Sequence, residues 1–139
     1  MDDRERSYAA LAPVLAIAGV FIHPVASAVL PLLMFFILHR MNKTEAATIS
    51  LRAADLVFTA QLLIILASLV IALSLNVLSL PPRTAHTIYL TSSVLILAYL
   101  VISLAYAAFM AFRGRVIGYL FSFCLAERLF TAYQARKKG

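Results

Sequence analysis

Three stretches of the chain carry no Asp, Glu, Lys or Arg: Tyr8–Leu38, Leu56–Pro82 and Thr84–Phe112. Each exceeds the roughly 20 apolar residues with which a helix crosses a hydrocarbon core. The pattern predicts an all-α, polytopic membrane protein in one domain spanning residues 1–139. As one straight helix the first stretch would run about 46 Å, well beyond a hydrocarbon core of about 30 Å. It is punctuated by Pro13, Gly19, Pro24 and Pro31. A proline removes a backbone donor and restricts the residue before it, so His23-Pro24 is the natural place to turn. Two short arms, 8–22 and 25–38, then form a helical hairpin over 8–38; one long kinked span is the alternative. The second stretch predicts a transmembrane helix over 50–78, stopped by the connector Asn76–Thr84 with its paired Pro81-Pro82. The third predicts a transmembrane helix over 86–112, ended by Arg113-Gly114-Arg115.

After Gly114 the chain stays apolar without forming another span. Arg115, Gly118, Ser122 and Ala126 share a narrow arc at helical spacing, and Val116, Ile117, Leu120, Phe121, Phe123, Cys124 and Leu125 fill most of the rest. This predicts an interfacial amphipathic helix over 115–133, followed by the basic tail Arg136-Lys137-Lys138. It serves either as a lipid anchor or as a docking helix for a partner subunit.

Composition sharpens the picture: 63% of residues are hydrophobic and 13% charged, with 12 Lys and Arg against 6 Asp and Glu. A soluble domain carries about 25% charged residues. The lone Cys124 offers no internal disulfide, and no Cys/His spacing suits structural zinc. No metal and no cofactor are expected. The net charge of +6 lies beside apolar runs, where anionic lipid headgroups rather than nucleic acid account for it. With the first stretch as a hairpin, every Lys and Arg except Arg83 falls on one side; as a single span, Arg4 and Arg6 cross over. The positive-inside rule therefore predicts cytoplasmic N- and C-termini in a bacterial cytoplasmic membrane. The mixed charge of Met1–Arg6 does not fit a signal peptide, so the N-terminus is expected to be retained.

Few residues suggest chemistry. Thr48, Arg52, Asp55 and Thr59 share one helix face. An acid near hydrocarbon is a functional candidate, and the competing expectation is a structural Arg52–Asp55 ion pair at the inner interface, where water reaches both. In the last span Tyr89, Ser92, Tyr99, Ser103 and Tyr106 form a hydroxyl stripe. It suits interhelical packing or, alternatively, a polar path. Ser68, Ala72 and Asn76 form a possible counterpart. Arg113, Arg115, Arg128, Arg136, Lys137 and Lys138 are candidates for contact with the membrane surface or a partner. His23 and His86 are expected near the outer surface and His39 on the inner side; a His23/His86 pair is the one conceivable metal or pH site. No phosphate-binding loop, nucleophile elbow or zinc-protease helix is present, so no catalytic residue is assigned and the chain is expected not to be an enzyme.

The segments Tyr8-Ala9-Ala10-Leu11-Ala12-Pro13, Pro31-Leu32-Leu33, Arg52-Ala53-Ala54-Asp55-Leu56-Val57-Phe58 and Arg113-Gly114-Arg115 with Gly118-Tyr119 resemble, in order and spacing, a family of small bacterial four-helix membrane proteins. That family is related to the twenty-kilodalton subunit of the chloroplast inner-envelope protein translocon. The likeness covers most of residues 8–120, although Asp55 stands nearest the place of an Asn that often opens the third helix, and Leu120 follows Tyr119 where Pro is common. It implies a four-helix fold. Together with the tiny loops, the chain reads as a non-enzymatic accessory or scaffold subunit of an inner-membrane complex, with other membrane subunits as partners. The rival reading is a homo-oligomeric transport or channel component using the hydroxyl stripe.

Overall fold

The computed structural model describes residues 3–78 and 81–116, together with Tyr119 and Arg128. It is all-helical: α1 (Asp3–Ile22), α2 (Pro24–Arg40), α3 (Thr44–Leu78) and α4 (Pro82–Phe112). Three of these, α1, α3 and α4, are long and apolar enough to cross a membrane, and α2 is a shorter apolar helix. The helix interrupts at His23, the residue whose α conformation Pro24 disfavours. The His23 side chain then accepts the Val25 N–H at 3.2 Å, capping α2.

Both long helices exceed the spans expected from charge alone. α3 starts at Thr44 rather than residue 50, and from Ala46 onward it is packed against the other helices. α4 starts at Pro82 rather than residue 86, since a proline in the first turn needs no intrahelical donor. Of the connector expected over Asn76–Thr84, α3 takes the residues up to Leu78 and α4 those from Pro82. Between α2 and α3 the chain turns through Asn42 at φ 57°. The Asn42 N–H bonds the His39 carbonyl and the Lys43 N–H bonds the Leu38 carbonyl. Gly114 (φ 75°) closes α4 with the same pair of bonds, to Ala111 and, through Arg115, to Met110. Both are Schellman endings, which need a residue tolerant of the left-handed region. Most of the interfacial helix expected over 115–133, and the tail Arg136-Lys137-Lys138, lie outside the described residues.

α2 doubles back along α1. Near the turn Gly19 lies on the Ser27 backbone; at the far ends Ala9 and Ala10 share a buried cluster with Phe35 and Leu38. α1 and α3 each touch all three other helices, whereas α2 and α4 do not meet. The bundle is thus a rhombus with α1 and α3 across its short diagonal. Small residues allow this closeness: Ala16, Ala53 and Ala60 form a second cluster with Leu56, Val57, Leu100 and Leu104. In a membrane, where burial in protein gains little over burial in lipid, close packing and hydrogen bonds must hold helices together. One such bond, from Ser50 Oγ to the Pro31 carbonyl at 2.8 Å, is fully buried between α3 and α2.

The tightest approach is at Gly19, where an added Cβ would lie 2.5 Å from Ser27 Cα and 2.7 Å from its nitrogen. Backbone cannot swing aside as a side chain can. Gly19→Ala is therefore expected to cost about 1–3 kcal/mol, while Ala18→Val, exposed one position earlier, is tolerated; thermal unfolding in mild detergent compares the two.

Candidate functional site: a polar seam inside the bundle

Polar groups are scarce in these helices, and most of the buried ones line the contacts of α3. From Ala46 to Ala60 this helix is buried almost all round, because α1, α2 and α4 each cover one side. Ser50, Asp55 and Thr59 are inside; Arg52 is half-buried. Asp55 is 3% exposed, which corrects the expectation that water reaches it. Both Arg52 and Asp55 are engaged with neighbours. The Thr59 and Thr48 hydroxyls bond back to the carbonyls of Asp55 and Thr44, at 2.8 and 2.9 Å. Such back-bonding satisfies a hydroxyl inside an apolar helix.

Tyr119 adds a group that the sequence reading did not single out as a site. Beyond α4, Tyr119 packs on the cluster of Ala16, Leu56 and Leu104. Its hydroxyl is buried and has no hydrogen-bond partner among the described residues. Burial pushes the phenol well above its ordinary pKa, and the nearby positive charge of Arg52 pulls weakly the other way. Directly above, on the same α3 face, a cavity of about 250 Å³ opens between α3 and α4, lined by Leu56, Thr59, Leu63, Leu95 and Tyr99 among others.

A second polar knot ties α3 to the α1–α2 turn. The Gln61 side-chain amide donates to the Pro24 carbonyl and reaches Ser27 Oγ at 3.3 Å. Ser27 Oγ also donates to the Pro24 carbonyl, at 2.5 Å. Gln61 is the one amide side chain between Leu56 and Leu75, a signal that a search for isolated polar residues in apolar runs would have found.

The hydroxyl stripe of α4 lies beside its buried face rather than on it. Leu100, Leu104, Ala107 and Ala111 turn inward, while Tyr99 and Tyr106 are exposed and Tyr89, Ser92 and Ser103 are half-buried. On α3, Ser68 is half-buried with its hydroxyl bonded back to Ile64, and Ala72 is exposed. His23 stands level with Gln61, and His86 sits in the second turn of α4, so the pair lies far apart along the bundle. Among the described residues no group of three His, Cys, Asp or Glu is arranged to hold a metal ion.

The basic residues gather at one end. Arg6 approaches Gly114, whose added Cβ would meet Arg6 Nε at 3.0 Å, so the start of α1 and the end of α4 are neighbours. Arg40 and Lys43 belong to the same end through the return of α2. Arg113 lies 4.4 Å over the Phe109 ring, a cation–π contact suited to a headgroup layer. Arg115 and Arg128 are exposed. Comparison with protein-family models, curated proteins and solved structures finds no match.

Because folding raises the Tyr119 pKa, the phenol's contribution to stability is complete below its unfolded value of about 10 and is lost as pH rises above it. The protein is expected to lose stability above about pH 10. Tyr119→Phe, which removes a buried hydroxyl lacking a partner among the described residues, is expected to be neutral or stabilising at pH 7 and to weaken that alkaline loss. Melting temperatures at pH 7 and 10.5 in detergent test both.

Proposed function

We propose that this chain is a small, non-enzymatic integral membrane subunit that scaffolds an assembly in a bacterial cytoplasmic membrane, with both termini cytoplasmic. The observation that carries the reading is the contrast between the two halves of α3. From Ala46 to Ala60 it is buried, Phe58 apart, almost all round by the chain's own helices. Beyond Gln61 it meets few neighbours and presents Leu62, Ile65, Leu66, Leu69, Val70 and Leu73 outward. Helices this apolar can pack, anchor or gate, and the interhelical cavities are lined chiefly by aliphatic side chains, which suits packing. The cluster of Arg6, Arg40, Lys43, Arg113 and Arg115 at one end supports the cytoplasmic assignment through the positive-inside rule. The likeness in layout to the translocon-related family is consistent with a four-helix scaffold; fold analogy alone carries no transport role.

Extraction in native nanodiscs through a C-terminal tag, followed by native mass measurement, tests the reading. A stoichiometric complex with another membrane protein is expected, and a stable lone monomer would sink it.

One observation favours a second reading, a homo-oligomeric transport component: Tyr99 and Thr59 both face the α3–α4 cavity. Replacing Tyr99, Ser103 and Tyr106 by Phe, Ala and Phe separates the two. The scaffold reading expects assembly to weaken, each lost interhelical hydrogen bond removing about 0.6 kcal/mol; loss of solute flux with assembly intact would favour the transport reading.

A further inference from the structure

We infer that α1 and α2 form a re-entrant wedge: a hairpin that enters the bilayer from the side of the charged ends, turns at His23-Pro24 within the hydrocarbon, and leaves lipid above it. The inference is independent of what the chain assembles with.

The first support is height. Pro24 and Ser27 share one cavity with Gln61, Ile96 and Leu97, so the turn stands level with the middle of α4. Fifteen residues separate Leu97 from Phe112 and fifteen separate it from Pro82, about 22 Å in each direction at 1.5 Å per residue. The whole of α4 is about 46 Å long, against a hydrocarbon core of about 30 Å. Thr84–Phe112 carries no charged residue and is flanked by Arg83 and Arg113, so the core must lie within this column. Wherever a 30 Å slab is placed along a 46 Å column, it covers the middle. Tilting the bundle only lengthens the covered stretch.

The second support is the surface of the turn. A loop at a water interface presents polar side chains. Around the exposed His23 this one presents Phe21, Ile22 and Val25, exposed by 79%, 75% and 59%, the first two being the most exposed large apolar side chains described.

The third is hydrogen bonding. Irregular backbone survives at membrane depth only where its polar groups are satisfied by protein. The His23 N–H bonds the Gly19 carbonyl at 2.8 Å and the Ser27 N–H bonds the His23 carbonyl at 3.2 Å. The Val25 N–H bonds His23 Nδ1 at 3.2 Å. Pro24 has no N–H to satisfy, and its carbonyl accepts from both Gln61 and Ser27. A turn bathed in water would not need an amide delivered from a neighbouring helix.

The chain therefore displaces four helices' worth of area on the side of its charged ends and two on the other. The lipids opposite the hairpin must spread over its Phe21–Val25 tip. Such a shape fits best where the four-helix side is the convex one.

Single cysteines in a Cys124→Ser background test the placement, in lysed proteoliposomes of phosphatidylcholine and phosphatidylglycerol that expose both faces. Arg83→Cys and Met41→Cys are expected to react with a membrane-impermeant maleimide, while Phe21→Cys, Ile22→Cys and Val25→Cys react more than about tenfold slower until detergent is added. Labelling at the tip as fast as at residue 83 would overturn the proposal. A bimane on the same tip cysteines is expected to be quenched most by lipids brominated deep in the acyl chain; strongest quenching by headgroup-proximal bromines would likewise overturn it. In membrane tubes drawn from giant vesicles, the chain is expected to concentrate when its charged ends face outward and to be depleted when they face inward. Equal density in tube and vesicle would overturn the wedge shape.

Discussion

The hydrogen bonds at the Pro24 carbonyl are the constraint from which the rest of the bundle follows. An apolar chain can turn inside a membrane only if the turn's own amides are accounted for, and here Gln61 and Ser27 account for the carbonyl that Pro24 leaves facing α3. That bond sets the height of the turn against α3. With the turn fixed, Gly19 must rest on the Ser27 backbone, and only a residue without Cβ allows it. The return of α2 then brings Ser50 under the Pro31 carbonyl, and the alanines of α1 meet those of α3. Each contact is modest, about 0.5–1.5 kcal/mol for a hydrogen bond. They link α1, α2 and α3 to one another at successive heights, so they reinforce one register instead of competing.

How much of this was legible in the sequence depends on whether the cause is local. The three charge-free runs and the residue before Pro24 act through composition and backbone sterics, so an all-helical chain with long apolar helices follows from them directly. The span was expected to begin near residue 50, whereas helix α3 begins at Thr44 and its stretch from Ala46 packs against three other helices. Charge marks the membrane boundary only where the helix meets lipid or water; inside a bundle it marks nothing of the kind.

The polar seam was only half legible. Arg52 and Asp55 stand out as charges beside an apolar run, and the structure brings the charge of Arg52 close to Tyr119. No spacing rule reaches across the sixty-odd residues between them, because the approach depends on where α4 ends. Ser50 and Gly19 are hidden for the same reason: what they do is defined by the helix opposite. The stripe from Tyr89 to Tyr106 shows a different limit of spacing. Its residues do share one face, as the helical period requires, but periodicity cannot say which face meets the neighbour. The adjacent stripe of Leu100, Leu104, Ala107 and Ala111 does so.

This distribution of polar groups bears on what the molecule can do. Apart from the Tyr119 hydroxyl, the inward hydroxyls and amide with bonds described above are committed to backbone carbonyls: Thr59 and Ser68 within their own helix, Ser50 and Gln61 on α2. A conducting path needs a continuous series of polar groups free to exchange partners with a solute, and these are already committed to protein carbonyls. The unfilled spaces between helices are instead chiefly aliphatic. The same economy fits the half of α3 beyond Gln61, which through Leu75 carries only Ser68 and Ser74 as polar side chains. It has no hairpin to bind, so nothing selects for hydrogen-bonding side chains there, and its exposed leucines and valines are suited to lipid or to another apolar helix.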